Sequence, residues 1–323
     1  MKILVTGGAG YIGSFMTKRL LERGDSVVVL DSLERGHKEA IDPKAEFMQA
    51  NLWEWDKLES IFQKHSFDAI MHFAGYISME ESMRDPRIYF YNNTGGSLEL
   101  MEHARKTHVK FFIFSSSAGV YGNPTKLPIT EDHPKNPTNP YGESKLMVEK
   151  MLSWYQKIYG LNFAALRYFN AAGAALDGTR GEDHDPESHI IPLAIRAALG
   201  DKEFNLYGTD YETADGTCVR DYIHVLDLVE AHVLALEKLG KDGGGFAYNV
   251  GTGKGYSNKE VLEMIKKVSG RELKVIERPR RPGDANELVA DVSKIKEELG
   301  FIPKYSDLKT ITETAWKWHK RSS

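Results

Sequence analysis

Gly7, Gly10 and Gly13 form a Gly-x-x-Gly-x-x-Gly segment between the short apolar run Lys2–Thr6 and an amphipathic stretch from Ile12 to Arg23. A strand that turns into a helix through such a loop uses its glycines in three ways. The first permits the tight turn, the second lets the backbone approach a pyrophosphate, and the third lets helix pack closely on strand. The helix N-terminus then offers unpaired N–H groups and the positive end of its dipole to the phosphates. Asp31 closes the next apolar run, where a carboxylate accepts hydrogen bonds from the adenosine ribose hydroxyls. A negative charge there repels a 2′-phosphate, so the dinucleotide expected is NAD. Arg35 lies close enough to keep NADP in view.

The first half repeats this alternation. Strands are expected at Lys2–Thr6, Ser26–Asp31, Glu46–Asn51, Asp68–Phe73, Lys110–Ser115 and Phe163–Phe169. They are short, rich in Val, Ile and Phe, and lack strict alternation, as strands buried on both faces of a parallel sheet do. Helices are expected at Ile12–Arg23, Trp53–Lys64, Arg87–Lys106 and Tyr141–Tyr159. Strand–helix repetition predicts an α/β, doubly wound sheet.

The second half is less regular. Gly173–His189 reads as a loop before a helix at Pro192–Leu199. A helix Val225–Leu239 and an apolar run Phe246–Val250 are placed to return to the first sheet, and Ser257 with Glu260 has capping-box spacing for a helix to Ser269. Further helices are expected from Asp291 through Leu299 and from Asp307 to the end. No internal repeat or low-complexity linker interrupts the chain, so two interleaved domains are expected. They are residues 1–170, rejoined by parts of 220–250, and residues 171–323.

Composition excludes several classes. With 41% hydrophobic and 27% charged residues over 323 positions, the chain reads as globular. A net charge of −4 lacks the basic field that nucleic-acid binding requires. Cys218 is the single cysteine, so no intrachain disulfide can form. The N-terminal apolar run is too short for a secretory leader, and no stretch is long enough to span a membrane, so a cytoplasmic setting is expected.

Tyr141 and Lys145 stand four apart and so share a helix face. An ammonium beside a phenol favours the phenolate and lowers its pKa, which would let the pair exchange a proton with a hydroxyl being oxidised. The spacing alone is weak, because Tyr305 and Lys309 share it. Context favours Tyr141: Ser115-Ser116-Ser117 ends a strand, and ligands of open α/β sheets bind at the carboxyl ends of strands.

Thr6–Gly13, Ser115–Gly122, Pro140–Lys145 and Leu166–Asn170 resemble the extended short-chain dehydrogenase/reductases. Asp215–Val225 and Arg278–Asp284 resemble, within that family, the UDP-glucose 4-epimerases, and the resemblance spans essentially the whole chain. It implies a Rossmann-like doubly wound parallel sheet with a smaller mixed C-terminal substrate domain. It implies NAD as cofactor, a UDP-hexose as substrate, and transient oxidation at C4 with hydride returned to either face. No metal is implied, and relatives are often homodimers.

Residue by residue, the resemblance makes Ser117, Tyr141 and Lys145 catalytic, the last two also touching the cofactor. The further cofactor contacts implied are Gly7, Gly10, Tyr11, Ile12, Gly13, Asp31, Asn51, Leu52, Phe73, Ala74, Gly75, Asn92, Tyr168 and Phe169. Ser117, Asn170, His189, Tyr207, Arg220, Arg281, Asp284 and Leu288 are the implied substrate contacts. Asn51-Leu52 departs from the family's frequent Asp-Ile, Gly119 from a frequent Thr, and His189 from an Asn. Ile77 stands where some relatives place a lysine. Asp183, His184, Asp185 and His189 match no zinc or calcium spacing, so no metal site is expected.

Three other readings stay open. A nucleotide-sugar 4,6-dehydratase would need an Asp-Glu pair where Ala118-Gly119 stands. A UDP-pentose or UDP-uronate 4-epimerase shares the motifs. A non-catalytic NAD-sensing protein would usually lack the Tyr–Lys pair. Leu288 falls where relatives carry a tyrosine or a smaller residue beside the hexose 2-position, so turnover of UDP-N-acetylhexosamines is also expected.

Overall fold

Strands and helices alternate along the first two-thirds of the chain. The computed structural model describes residues 1–200, 202–281 and 283–321; Pro282 of the arginine-rich stretch, and Ser322 and Ser323 at the end of the expected second domain, lie outside them. The early elements are β1 (Lys2–Thr6), α1 (Tyr11–Glu22), β2 (Ser26–Asp31), β3 (Glu46–Gln49), α2 (Trp55–Lys64), β4 (Ala69–His72), α3 (Met79–Arg84) and α4 (Pro86–Tyr89). Then come α5 (Gly96–Lys106), β5 (Phe111–Ser117), α6 (Pro140–Tyr159), β6 (Asn162–Tyr168) and β7 (Asn170–Ala172). Next are α7 (Ile190–Leu199), β8 (Phe204–Tyr207), β9 (Val219–His224), α8 (Val225–Asp242) and β10 (Gly245–Val250). The chain closes with β11 (Gly255–Ser257), α9 (Asn258–Ser269), β12 (Val275–Arg278), β13 (Glu287–Leu288), α10 (Ser293–Leu299) and α11 (Leu308–His319).

Seven strands form the main sheet in the order β10-β6-β5-β4-β1-β2-β3. The pairs β1–β2, β1–β4, β2–β3 and β4–β5 are parallel, and the order reverses between β1 and β4, where doubly wound sheets bind nucleotides. Thus the α/β, Rossmann-like, doubly wound sheet is present. Leu4, Val28, Leu58, Ile70, Phe112 and Leu152 are fully or almost fully buried around it, and each such side chain contributes about 1.5–3 kcal/mol on burial.

The chain divides into two compact units. The first comprises Met1–Gly122, Lys135–Arg167 and Val229–Tyr248; the second comprises Asn123–Pro134, Tyr168–Leu228 and Asn249–Ser323. Residues 123–134 and 168–170, expected in the first domain, lie in the second unit, and the segment that rejoins the first is Val229–Tyr248. Hydrogen bonds account for the place of 123–134. The Ile129 N–H donates to Val289 O at 2.9 Å, and Ile129 O accepts from Asp291 N at 2.8 Å and Asn249 Nδ2 at 2.7 Å.

In the second unit β9 pairs with β11, β13 and β7, and β8 pairs with β12. A separate core of Ile191, Ile195, Leu206, Val261, Ile265 and Ile311 lies there. Ser257 and Glu260 make the capping box that their spacing predicts, and Asp307 caps α11.

Two local expectations change. The stretch Arg87–Lys106 is not one α-helix: Phe90–Gly95 widens into π-helical turns between α4 and α5. The helix α3 before it has no apolar periodicity to signal it; Ser78 caps it by accepting from Glu81 N at 3.1 Å. Strand β5 also runs two residues past Ser115, so Ser117 belongs to the strand end.

Candidate active site

In the first unit the glycine loop has the shape its spacing demands. Gly7 lies at φ +72°, where an added Cβ would stand 2.6 Å from Ala74 N. A Cβ on Gly13 would overlap the Gly7 carbonyl, so only glycine lets α1 sit this close to the loop. Gly10 is the N-cap of α1 and supplies no side-chain cap, which leaves the first-turn amides to a ligand. Tyr11 and Ile12 open the helix behind it.

Asp31 is buried at the end of β2 and accepts from Ala9 N and Leu33 N, each at 2.9 Å. Burial raises its pKa, partly offset by those two amides. A carboxylate offers about four acceptor sites, so capacity remains for ribose hydroxyls. Arg35 pairs with Glu81 at 2.9 Å and lies 5.4 Å from the centre of the Tyr76 ring. Its charge is already matched, which favours NAD over NADP at this edge.

The other expected cofactor residues line the same strand ends. Asn51 and Leu52 follow β3, and Leu52 is buried against Gly96. Phe73, Ala74 and Gly75 follow β4, with Phe73 N donating to Thr6 O at 3.0 Å. Asn92 lies in the π-helical segment and donates to Asn93 Oδ1 at 3.1 Å. Asn93 escaped the sequence reading. Its amide accepts from Tyr76 N at 2.8 Å and donates to Tyr76 O at 3.0 Å, so it clamps the backbone beside Gly75. It lies in π-helical turns, which are common at functional sites, and no sequence periodicity signals it.

The acid–base residues come together at the end of β5. Asn139 caps α6 by accepting from Gly142 N at 2.9 Å, Pro140 occupies its first turn, and Tyr141 and Lys145 share its buried face. The Ser117 hydroxyl and the Tyr141 ring both lie beside Gly119, and the hydroxyl favours ionisation of the phenol. Ser117 Oγ also accepts from Gly119 N at 3.0 Å. Lys145 Nζ donates to Ser115 O at 2.9 Å and lies 5.0 Å from the Phe114 ring centre and 5.9 Å from that of Tyr141.

The expected lowering of the phenol pKa is not met. Burial raises Tyr141 and outweighs the opposing effect of the Ser117 hydroxyl, while burial lowers Lys145 to about 8. Burial and the Lys145 charge hold His72 near 3, so that imidazole is neutral at pH 7.

One turn beyond Lys145, Glu149 receives Arg167 as a fork, Nε to Oε1 at 2.9 Å and Nη2 to Oε2 at 2.6 Å. Ser116 Oγ donates to Glu149 Oε1 at 2.5 Å, and Arg167 Nη1 donates to Tyr121 Oη at 2.9 Å. This buried network ties β5, β6 and α6 together. The Tyr–Lys–Glu repeat at every fourth residue is a signal that could have found Glu149.

In the second unit the expected nucleotide residues gather around β8, β9 and the 281–288 segment. Arg281 stacks over Tyr207 at 4.1 Å. Arg220 donates to Val219 O and Ala285 O, both at 2.9 Å, and stands 3.9 Å from Asp284. Leu288 is in register with Arg220 across β13 and β9, and Asn170 pairs with Tyr222 two residues further along β9. Tyr168 and Phe169 lead into β7. His189 is held otherwise, with Nδ1 2.5 Å from Glu182 Oε1 at the N-cap of α7. Lys309, four residues after Tyr305, pairs with Glu313 at 3.6 Å instead.

The family model for the NAD dependent epimerase/dehydratase family matches residues 3–251. The chain belongs to that family. Among its epimerase/dehydratase relatives, the UDP-glucose 4-epimerase of Lactobacillus helveticus is 48% identical over 99% of this chain and 97% of its own. The crystal structure of UDP-glucose 4-epimerase from Brucella ovis in complex with NAD is 47% identical, with a TM-score of 0.94 over 98% of this chain and 97% of that one. The UDP-Glc/GlcNAc 4-epimerase of Campylobacter jejuni is 41% identical, with a TM-score of 0.87 over 99% of both chains. Among the described residues, no helix is long and apolar enough to cross a membrane.

Proposed function

We propose that this chain is an NAD-dependent epimerase that interconverts UDP-glucose and UDP-galactose. The observation that carries this reading is the gathering of Ser117, Tyr141 and Lys145 at the carboxyl end of β5, in the unit that holds the glycine loop. The cradle fits the cofactor: Gly7 and Gly13 leave no room for a Cβ, and Asp31 retains acceptor capacity for ribose hydroxyls. NAD held there would supply a hydride acceptor for C4 of the sugar and a donor for its return to either face. Tyr141 takes the C4 hydroxyl proton and gives it back, Ser117 orients the sugar oxygen, and Lys145 supplies positive charge nearby. Arg220 and Arg281 offer guanidinium forks for the diphosphate, and Tyr207, Asn170, Asp284 and His189 hold the nucleotide.

The residues disfavour a 4,6-dehydratase, because Ala118 and Gly119 offer no carboxylate for eliminating water. Incubating the protein with UDP-galactose and separating the products tests the reading. UDP-glucose is expected from the parent protein. Tyr141→Phe should lose at least ~10²-fold in rate with the fold intact. No product from UDP-galactose, with turnover of a UDP-pentose or UDP-uronate instead, would replace the substrate while keeping the chemistry.

The proposed assembly is a homodimer. Leu98 on α5 and Met147, Trp154 and Ile158 on α6 are large apolar side chains left exposed, the kind of surface that pairs with a second copy. Light scattering should give twice the mass of one chain; a monomer at micromolar concentration would count against it. The proposed setting is the cytoplasm, where the buried thiol of Cys218 stays reduced.

A further inference from the structure

The loop between β7 and α7 carries a second constellation that the acid–base chemistry does not use. Glu182, His184, Glu187 and His189 each turn one ligand atom into a space where all four atoms lie within 4.8 Å of one another. The carboxylate side chains of Glu182 and Glu187 are only 5% and 1% exposed. Two buried carboxylates this close repel unless cations sit among them.

We propose that these four residues bind one zinc-class divalent ion, through both imidazole Nδ1 atoms and both carboxylates, and that the ion locks the loop ahead of α7. Two nitrogens and two oxygens suit a borderline metal such as Zn²⁺ in a closed, tetrahedral structural site. With bonds of about 2.0–2.2 Å, ligand atoms of such a site stand about 3.4 Å apart. The Nδ1 atom of His184 lies 3.1 Å from Glu182 and 3.9 Å from Glu187, and that of His189 lies 3.6 Å from Glu187. The 2.5 Å approach of His189 to Glu182 must open by the largest amount of these contacts.

The surroundings are arranged as a metal site requires. Glu187 Oε1 accepts from Ser188 N at 2.7 Å and His189 N at 2.9 Å, which fixes the carboxylate. Trp318 Nε1 donates to Glu182 O at 2.9 Å and holds that end of the loop. His184 and His189 are partly exposed and leave a path for entry.

Charge balance is the same with metal or with protons. Two carboxylates neutralise either two imidazolium ions or one divalent ion between neutral imidazoles, so binding releases two protons. The ion takes Nδ1 of His189, so any contact of that residue with a nucleotide is left to Nε2. The expectation of no metal rested on the linear spacing of Asp183, His184, Asp185 and His189. The folded loop recruits Glu182 and Glu187 in place of the two aspartates.

The test uses the full-length protein, treated with EDTA, dialysed, and titrated with Zn²⁺ alone by calorimetry, with bound metal counted by mass spectrometry. One Zn²⁺ per chain is expected, with a rise in melting temperature. His184→Asn and Glu187→Gln should each weaken binding by about ten-fold or more and abolish that rise, whereas Asp183→Asn and Asp185→Asn should do neither. Co²⁺ on the parent protein gives an answer should the variants fail to fold: an intense visible band, bleached by Zn²⁺, is expected. No stoichiometric Zn²⁺ binding, parent affinity in His184→Asn, or only the weak spectrum of hydrated Co²⁺ would overturn the proposal.

Discussion

Lys145 donates to the main-chain carbonyl of Ser115 at 2.9 Å while its Nζ stands 5.9 Å from the centre of the Tyr141 ring, one turn back on the same helix. The lysine is thus anchored to the strand end beside the phenol ring. Both groups are buried, and burial moves them in opposite directions: Tyr141 up, Lys145 down to about 8.

The pH–rate profile follows. The pair must lose one proton before it can accept one from the sugar, so kcat/KM should rise with pH along a limb whose apparent pKa lies near 8. In Lys145→Met the limb should move up, past the tyrosine's ordinary value of about 10. An unchanged limb in that variant would separate Lys145 from the titration.

Removing one partner of the Glu149–Arg167 fork should unfold the first unit more readily. Glu149→Gln leaves the guanidinium buried against a neutral amide, and breaking a buried pair typically costs about 3–5 kcal/mol. Chemical denaturation of the parent and variant measures this. A loss within about 0.5 kcal/mol would mean that Tyr121 and Ser116 compensate.

Leu288, in register with Arg220, is expected to set how bulky a group the sugar 2-position can carry. The parent should turn over UDP-N-acetylgalactosamine besides UDP-galactose. Leu288→Tyr should depress the N-acetyl activity by about ten-fold and spare the other, since overpacking a fitted site costs about 1–3 kcal/mol. Failure of the parent to turn over the N-acetyl sugar would end this assignment.

Heat-denatured protein should release NAD rather than NADP. Asp31 presents its carboxylate at the end of β2, and Arg35 is engaged by Glu81. Asp31→Asn should weaken NAD and relax the discrimination, read from the nucleotide recovered by chromatography. Recovery of NADP from the parent would assign the choice to Arg35.

Local pattern made much of this protein legible without coordinates. The glycine loop, the alternation of strands and helices, the capping box at Ser257 and the Tyr141–Lys145 pair all depend on neighbours a few residues apart, and short-range sterics and hydrogen bonding decide those. Folding alone decided what depends on distant partners. Ile129 carries residues 123–134 into the second unit because its hydrogen bonds are to Val289, Asn249 and Asp291. The phenol pKa rises because desolvation is a property of the packed site, which no spacing expresses. The π-helical turns put Asn93 on the Tyr76 backbone, a long-range pairing with no periodic signature. Likewise Glu182, His184, Glu187 and His189 converge through the path of a loop, and side chains that meet across a loop obey no fixed interval.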